Sequence, residues 1–266
     1  MELDRKELKR LAKDAMHDAK PAPYWVALAM VGITLALTIL SMSLTGQLKA
    51  IMTMYSAALE GRTIYVQPTG VNGVMGWALN LALEVMSIVI GVGFVIYCMR
   101  VWRREGPAIG NLFDGFGVFF RALAVRIIPS LLVSLWSLLY AVPVAVLSVL
   151  TGHMWWYIVG LPLLIPALRA SYAYRQAAYI MLDNPSMPIL QCVGLSSAVM
   201  MGHKWEMFKL EMSFMGWILL CSVLPVVGLV LLVWVNAYMG TTQAGYYDRV
   251  MDAFLRENAP PVQPEG

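Results

Sequence analysis

Glu84 has the most chemistry to offer, because it stands near the middle of an apolar run from Val74 to Met99. In hydrocarbon a charged carboxylate costs several kcal/mol, so it has to be neutral, paired or in contact with water. Asn80, Glu84, Ser87 and Gly91 are four, three and four residues apart and therefore share one helix face. A polar stripe on so apolar a helix should face the interior of a bundle. Arg169, near the middle of another apolar run, is the natural partner. If both helices cross the same layer, the two charges differ in depth by roughly 6 Å at 1.5 Å per residue, within reach of an arginine. Two chemistries fit Glu84, Arg169 and Asn80. One is a substrate or proton site between two helices; the other is an ion pair that fixes how those helices pack. No further ionisable residue joins them in the core of the bundle as drawn from sequence, and a proton relay needs a chain of such groups.

The remaining reactive side chains are scattered. His17, His153 and His203 fall on separate segments, and no HExxH pattern or Cys/His cluster offers metal ligands. There is no GxSxG elbow, no phosphate-binding glycine loop and no close pair of intramembrane acids. The expectation is a protein without catalytic residues, metal or cofactor. The three cysteines are too few for a disulfide framework, and Cys98 and Cys221 lie in apolar runs, where a thiol packs as a small hydrophobe.

Composition says what must position these residues. Of 266 residues 59% are hydrophobic and only 13% charged, with a mean hydropathy of +0.67. Such a chain has too little polar surface to coat a soluble globule. A net charge of +3 gives no ground for nucleic-acid binding. A spanning helix needs about 20 predominantly apolar residues. Runs that meet this lie at 24–44, 74–99, 127–150 and 155–182, the last interrupted by Pro162 and Pro166. Met212 to Met239 is long for one crossing, and Pro225 and Gly228 divide it, which favours a hairpin of two spans, 207–224 and 226–241, over one long span. The fold class expected is all-α: a polytopic transmembrane bundle of about six spans in one domain, 24–250.

The flanks set orientation. Residues 1–20 carry Leu8, Leu11, Ala12 and Met16 at helical spacing among many charges and read as a short amphipathic helix on the cytoplasmic membrane surface. Their acids, and the lack of a small-x-small site, argue against a cleaved signal peptide. Of the 19 Lys and Arg, only Lys49 and Arg62 fall outside when the N-terminus is inside; Arg169 lies within a span and the rest are inside. Both termini are then cytoplasmic. The segments 111–126, with Phe113 and Phe116, and 186–208 read as interfacial helices on that same side. The Pro-containing tail, 257–266, reads as disordered.

Several stretches carry a resemblance. Gly202-His203-Lys204-Trp205, with Phe208, Leu210, Ser213-Phe214 and Gly216-Trp217, resembles bacterial integral membrane proteins grouped as domain of unknown function 975. The order of other landmarks is similar too: Lys6-Glu7-Leu8-Lys9, Leu112-Phe113-Asp114-Gly115-Phe116, Leu135-Trp136-Ser137-Leu138-Leu139, Tyr179-Ile180 with Asp183-Asn184-Pro185, and Thr242-Gln243-Ala244-Gly245-Tyr246-Tyr247. Between Ala141 and Ile165 the chain departs from the family, with a longer stretch where the family has a short Ile-Pro-Gly-Ile-like link. The resemblance implies a multi-pass protein of a bacterial cytoplasmic membrane and supplies no activity.

Two readings follow. The first is a non-enzymatic accessory or binding component, with a cytoplasmic platform of His203, Lys204, Trp205, Asp183, Asn184, Phe113 and Phe116. Its partners would be membrane lipids, another membrane protein or a hydrophobic peptide. The second is a small transporter or lipid/peptide-handling permease with a midplane site at Glu84, Asn80 and Arg169. Simple anchoring of a surface helix by Lys204 and Trp205 is the plainer account of the platform.

Overall fold

The computed structural model describes residues 4–67, 70–71, 73–223 and 225–258, and every regular element among them is helical. The fold is an all-α bundle. The elements in order are α1 (Arg5–Asp18), α2 (Pro23–Leu44), α3 (Gln47–Leu59), α4 (Gly73–Arg103), α5 (Asn111–Gly117) and α6 (Phe119–Thr151). There follow α7 (Trp156–Val159), a 3-10 turn (Leu161–Leu164), α8 (Ile165–Ala173), α9 (Ala177–Asp183), α10 (Ile189–Val199), α11 (Lys204–Val223) and α12 (Pro225–Glu257). The tail beyond residue 258 lies outside the described residues, and α12 reaches Glu257, into the stretch read from sequence as tail.

Among the described residues three helices, α2, α4 and α6, are long and apolar enough to cross a membrane. Only 6% of the most apolar window of α6 is buried within the chain, and Leu131, Leu135, Leu138, Val142 and Val149 are left exposed. A contiguous apolar face of that size calls for an apolar surrounding. Local signals set the ends. Pro23 opens α2, where its missing N–H costs nothing. Gly152, at φ 69°, closes α6 in the left-handed conformation that glycine adopts freely.

The run expected as a fourth span is not one helix. It is broken into α7, the 3-10 turn, α8 and α9, with Pro162 and Pro166 near the first breaks and a further break at Tyr174–Gln176. The long apolar stretch after it is two helices, as its proline suggests. Phe214 meets Tyr238 and Trp217 meets Trp234 at centroid distances of 5.1 and 5.9 Å, so partners fall in sequence on one side as they rise on the other, and α11 and α12 are antiparallel. Conversely, α4 and α12 run parallel, because Gly240 faces Cys98, Gly245 faces the Trp102 ring and Asp248 meets Arg103.

Two flanking helices expected at the interface are packed against the bundle. The apolar stripe of α1 is buried, Leu8 and Ala12 among residues of α11 and α12 and Ala15 in the core that includes α2 and α4. Tyr238 donates to the Lys9 carbonyl and Arg249 pairs with Glu7, which holds α1 along α12. Likewise, α5 packs backbone to backbone on α4. A methyl group at Gly93 would overlap the Leu112 carbonyl, and one at Gly115 the Val89 carbonyl. Glycines on both sides permit this close approach. The stretch that departs from the family forms the end of α6 and its return: Tyr140 donates to the Tyr157 carbonyl, and Trp156 Nε1 to Thr151.

Candidate functional site

The polar residues of the bundle gather near the end that carries α1, and most converge on one stretch of α12. Small residues come first: Gly240 and Gly245 let α12 approach Cys98 and the ring of Trp102 on α4. That proximity brings Asp248 to Arg103, the last residue of α4. The Arg103 guanidinium donates to Asp248 through Nε (3.1 Å) and Nη2 (2.6 Å), and to Asp183 at the end of α9 through Nη1 (2.7 Å) and Nη2 (2.8 Å). Tyr247 donates to Asp183 at 2.9 Å, and its ring stacks on Tyr179. The planar fork of arginine matches two carboxylates in a way lysine cannot. Three helices are thus clamped by one side chain.

A second cluster surrounds Glu211 of α11. Its carboxylate accepts from Tyr172, from Arg175 and from Gln243 of α12. Beside it lies the break between α8 and α9, whose freed backbone groups Ser196 of α10 satisfies. The Ser196 hydroxyl donates to the Ala173 carbonyl at 2.8 Å and accepts from the Gln176 N–H at 3.1 Å. An interrupted helix in an apolar setting needs such a substitute for its lost ladder. The Gln176 side chain is fully buried, and neither its oxygen nor its nitrogen has a hydrogen-bond partner.

Farther along, α4, α6 and the α8–α9 segment enclose a groove of about 570 Å³. One wall is the predicted stripe of α4, with Glu84, Ser87 and Gly91 lining it. The facing walls supply Arg126 and Ser130 from α6, and Tyr174 and Arg175 from the α8–α9 break. Arg121, about a turn before Arg126, donates to the Asn184 and Met187 carbonyls, which places the arginine end of the groove toward the Arg103 clamp. Glu84 lies at the other end, since α4 runs toward that clamp.

The sequence paired Glu84 with Arg169; the structure does not bring them together. Both are exposed, and neither makes a hydrogen bond or ion pair among the described residues. The charges that share a cavity with Glu84 are Arg126 and Arg175. Breaking the fourth run into short helices turned Arg169 away, and that change of course cannot be read from an ideal helix. Asn80 is held locally: its oxygen accepts from Ser41 of α2, and its nitrogen donates to the Gly76 carbonyl.

The expected platform residues fall in two places. Phe113 and Asp183 line a cavity of about 610 Å³ with Arg100, Arg103 and Asp114. There Asp183 is committed to the clamp, and the Asn184 carbonyl accepts from Arg121. Phe113 and Phe116 are exposed and stacked at 6.4 Å. His203, Lys204 and Trp205 lie instead at the start of α11, whose Glu206 and Lys209 line a cavity with α1. His203 is bonded to Glu206 at 3.0 Å and its carbonyl accepts from Tyr246, while Trp205 is 63% exposed and stacks on Phe208. Among the described residues no three His, Cys, Asp or Glu side chains are grouped to hold a metal ion.

Arg103, Asp248, Glu211, Gln176 and Ser196 were not singled out in sequence. A signal existed for the first two. The stretch from Gly240 to Asp248 alternates small residues with Thr, Gln and Tyr at three- and four-residue spacing, which marks a helix face meant for close polar contact.

An all-α bundle with three helices, among the described residues, long and apolar enough to cross a membrane, joined at one end by a partly buried network of charges and hydroxyls, is compatible with an integral membrane protein. Within that class, the model of the family described as Protein of unknown function (DUF975) matches residues 1–253, and the chain belongs to that family. No curated protein and no solved structure matches it.

Proposed function

We propose that this protein is a non-enzymatic binding component of a bacterial cytoplasmic membrane, multi-pass with both termini inside, that holds an amphiphilic ligand between α4, α6 and α8–α9. The observation that carries the reading is the groove itself. It has apolar lining at Ile88, Val92 and Val133, a carboxylate without a partner among the described residues at one end, and Arg126 with the Glu211-bound Arg175 toward the other. A membrane lipid or a short hydrophobic peptide presents that combination: an apolar body with charged groups at its ends. The volume of about 570 Å³ is within the range of small-molecule sites.

Gly91 supplies the test. It lines the groove, and a Cβ built there meets nothing within 4 Å, so a side chain at this position starts in open space and extends into the groove. Native mass spectrometry of the wild type released from membranes should find a bound amphiphile in stoichiometric amount, and Gly91→Leu should lose it while keeping its melting temperature. Equal retention by Gly91→Leu would move the ligand elsewhere. A wild type that emerges without an amphiphile but with a second protein would make it an accessory subunit instead.

A small permease is the second reading, favoured by the breaks in α7–α9, because interrupted helices line moving sites in transporters. Carbodiimide modification of Glu84 from only one side of sealed vesicles supports it, and protection from both sides speaks against it.

A further inference from the structure

A second cavity, of about 660 Å³, opens between α1 and α11, apart from the groove. Its α1 wall presents Arg5, Lys6 and Lys9, and its α11 wall adds Lys209 and Ser213. Two acids line it as well, and both are engaged within the chain. Asp4 caps α1 by accepting from the Lys6 N–H at 2.9 Å, and Glu206 is bonded to His203. None of the four cations enters an ion pair among the described residues. Lys9 is the most confined: its ammonium lies 4.2 Å from the centroid of the buried Phe214 ring. Burial, with Arg5 and Lys13 nearby, lowers its pKa.

We infer that this cleft binds the phosphate of an anionic phospholipid. Ammonium and guanidinium groups converging on one cavity are the donors a phosphate accepts from. The surroundings favour a lipid source over a free anion. Trp205 sits exposed with the Lys209 ammonium 6.0 Å from its ring, an arrangement suited to the boundary between headgroups and chains. Beyond Ser213 at the lip of the cleft, α11 leaves Met215, Trp217 and Ile218 exposed, so acyl chains leaving the headgroup would run along an apolar face. Basic pockets at the edge of a helical bundle hold anionic headgroups on this principle. The inference does not depend on the groove.

The test is a titration of the full-length protein by native mass spectrometry, with phosphatidylglycerol and phosphatidylcholine as probes. The expected result is one phosphatidylglycerol retained in preference to phosphatidylcholine. In Arg5→Gln/Lys209→Gln its affinity should fall roughly tenfold or more, with the melting temperature in phosphatidylcholine discs unchanged and affinity recovered in Arg5→Lys/Lys209→Arg. Should the double variant lose its fold, Lys6→Gln alone, at an exposed position, should still weaken phosphatidylglycerol several-fold. Equal retention of the two lipids, or full retention by the neutral variants, overturns the proposal. Displacement of phosphatidylglycerol by millimolar inorganic phosphate, itself then retained, overturns the lipid assignment in favour of a free-anion site.

Discussion

Arg103 grips Asp183 through both terminal nitrogens, at 2.7 and 2.8 Å, joining residues 80 positions apart in the chain. The same guanidinium holds Asp248, so the ends of α4 and α9 are tied to α12. Lysine keeps the charge but cannot serve two carboxylates with four directed bonds. Arg103→Lys should lower stability by about 1.5–3 kcal/mol, a typical value for hydrogen bonds to charged groups. Thermal unfolding of the purified variant in detergent checks it. A melting temperature equal to the wild type would mean the clamp contributes nothing to holding the bundle.

The glycines of α4 separate close packing from open space. Gly93 has the Leu112 carbonyl where a methyl would go, and Gly115 of α5 has the Val89 carbonyl. Backbone cannot yield as a side-chain tip can, so Gly93→Ala and Gly115→Ala should each cost about 1–3 kcal/mol as overpacking. Gly91, two residues away, faces nothing within 4 Å. There alanine should be neutral, or stabilising by up to about 1 kcal/mol through helix propensity. Measured melting shifts of one sign at all three positions would contradict the packing of α5 on α4.

Periodicity and composition made the bundle legible, because α2, α4 and α6 each carry an unbroken apolar run long enough to declare itself. The split between α11 and α12 was legible too, from Pro225 and Gly228. The break at Tyr174–Gln176 was not, since no proline or glycine marks it. It rests on Ser196, twenty residues downstream in the chain, taking over the backbone bonds. The stripe from Glu84 to Gly91 was placed on one face and does line a cavity, whereas its partner was misjudged. Depth along two ideal helices said Arg169, but the changes of course in the fourth run bring Arg175 into the groove instead. The amphipathic α1 shows the same limit: an apolar stripe reveals that a face is covered and not what covers it.

Ser196 offers a test of that break. Without its hydroxyl the Ala173 carbonyl and the Gln176 N–H lose their partner in a fully buried position. Ser196→Ala should therefore cost about 1–3 kcal/mol, the penalty for orphaned buried groups. Ser134→Ala, at an exposed position where the hydroxyl bonds only its own helix, should shift stability by less than about 0.5 kcal/mol. Equal effects in a thermal melt would show that Ser196 does not hold the interruption.

Glu84 is where sequence and structure give opposite predictions. Paired with Arg169 it would stabilise the bundle, and Glu84→Gln would lower the melting temperature by stranding a buried arginine. The carboxylate instead has no partner among the described residues and lines the groove, so its neutral isostere removes no contact within the protein. Glu84→Gln should leave the melting temperature of the ligand-free protein unchanged and weaken retention of a cationic or zwitterionic amphiphile. Two measurements on one variant therefore divide the readings. A clear drop in stability without a change in retention would restore the ion pair as its role. Unchanged stability with lost retention would make Glu84 part of a binding site.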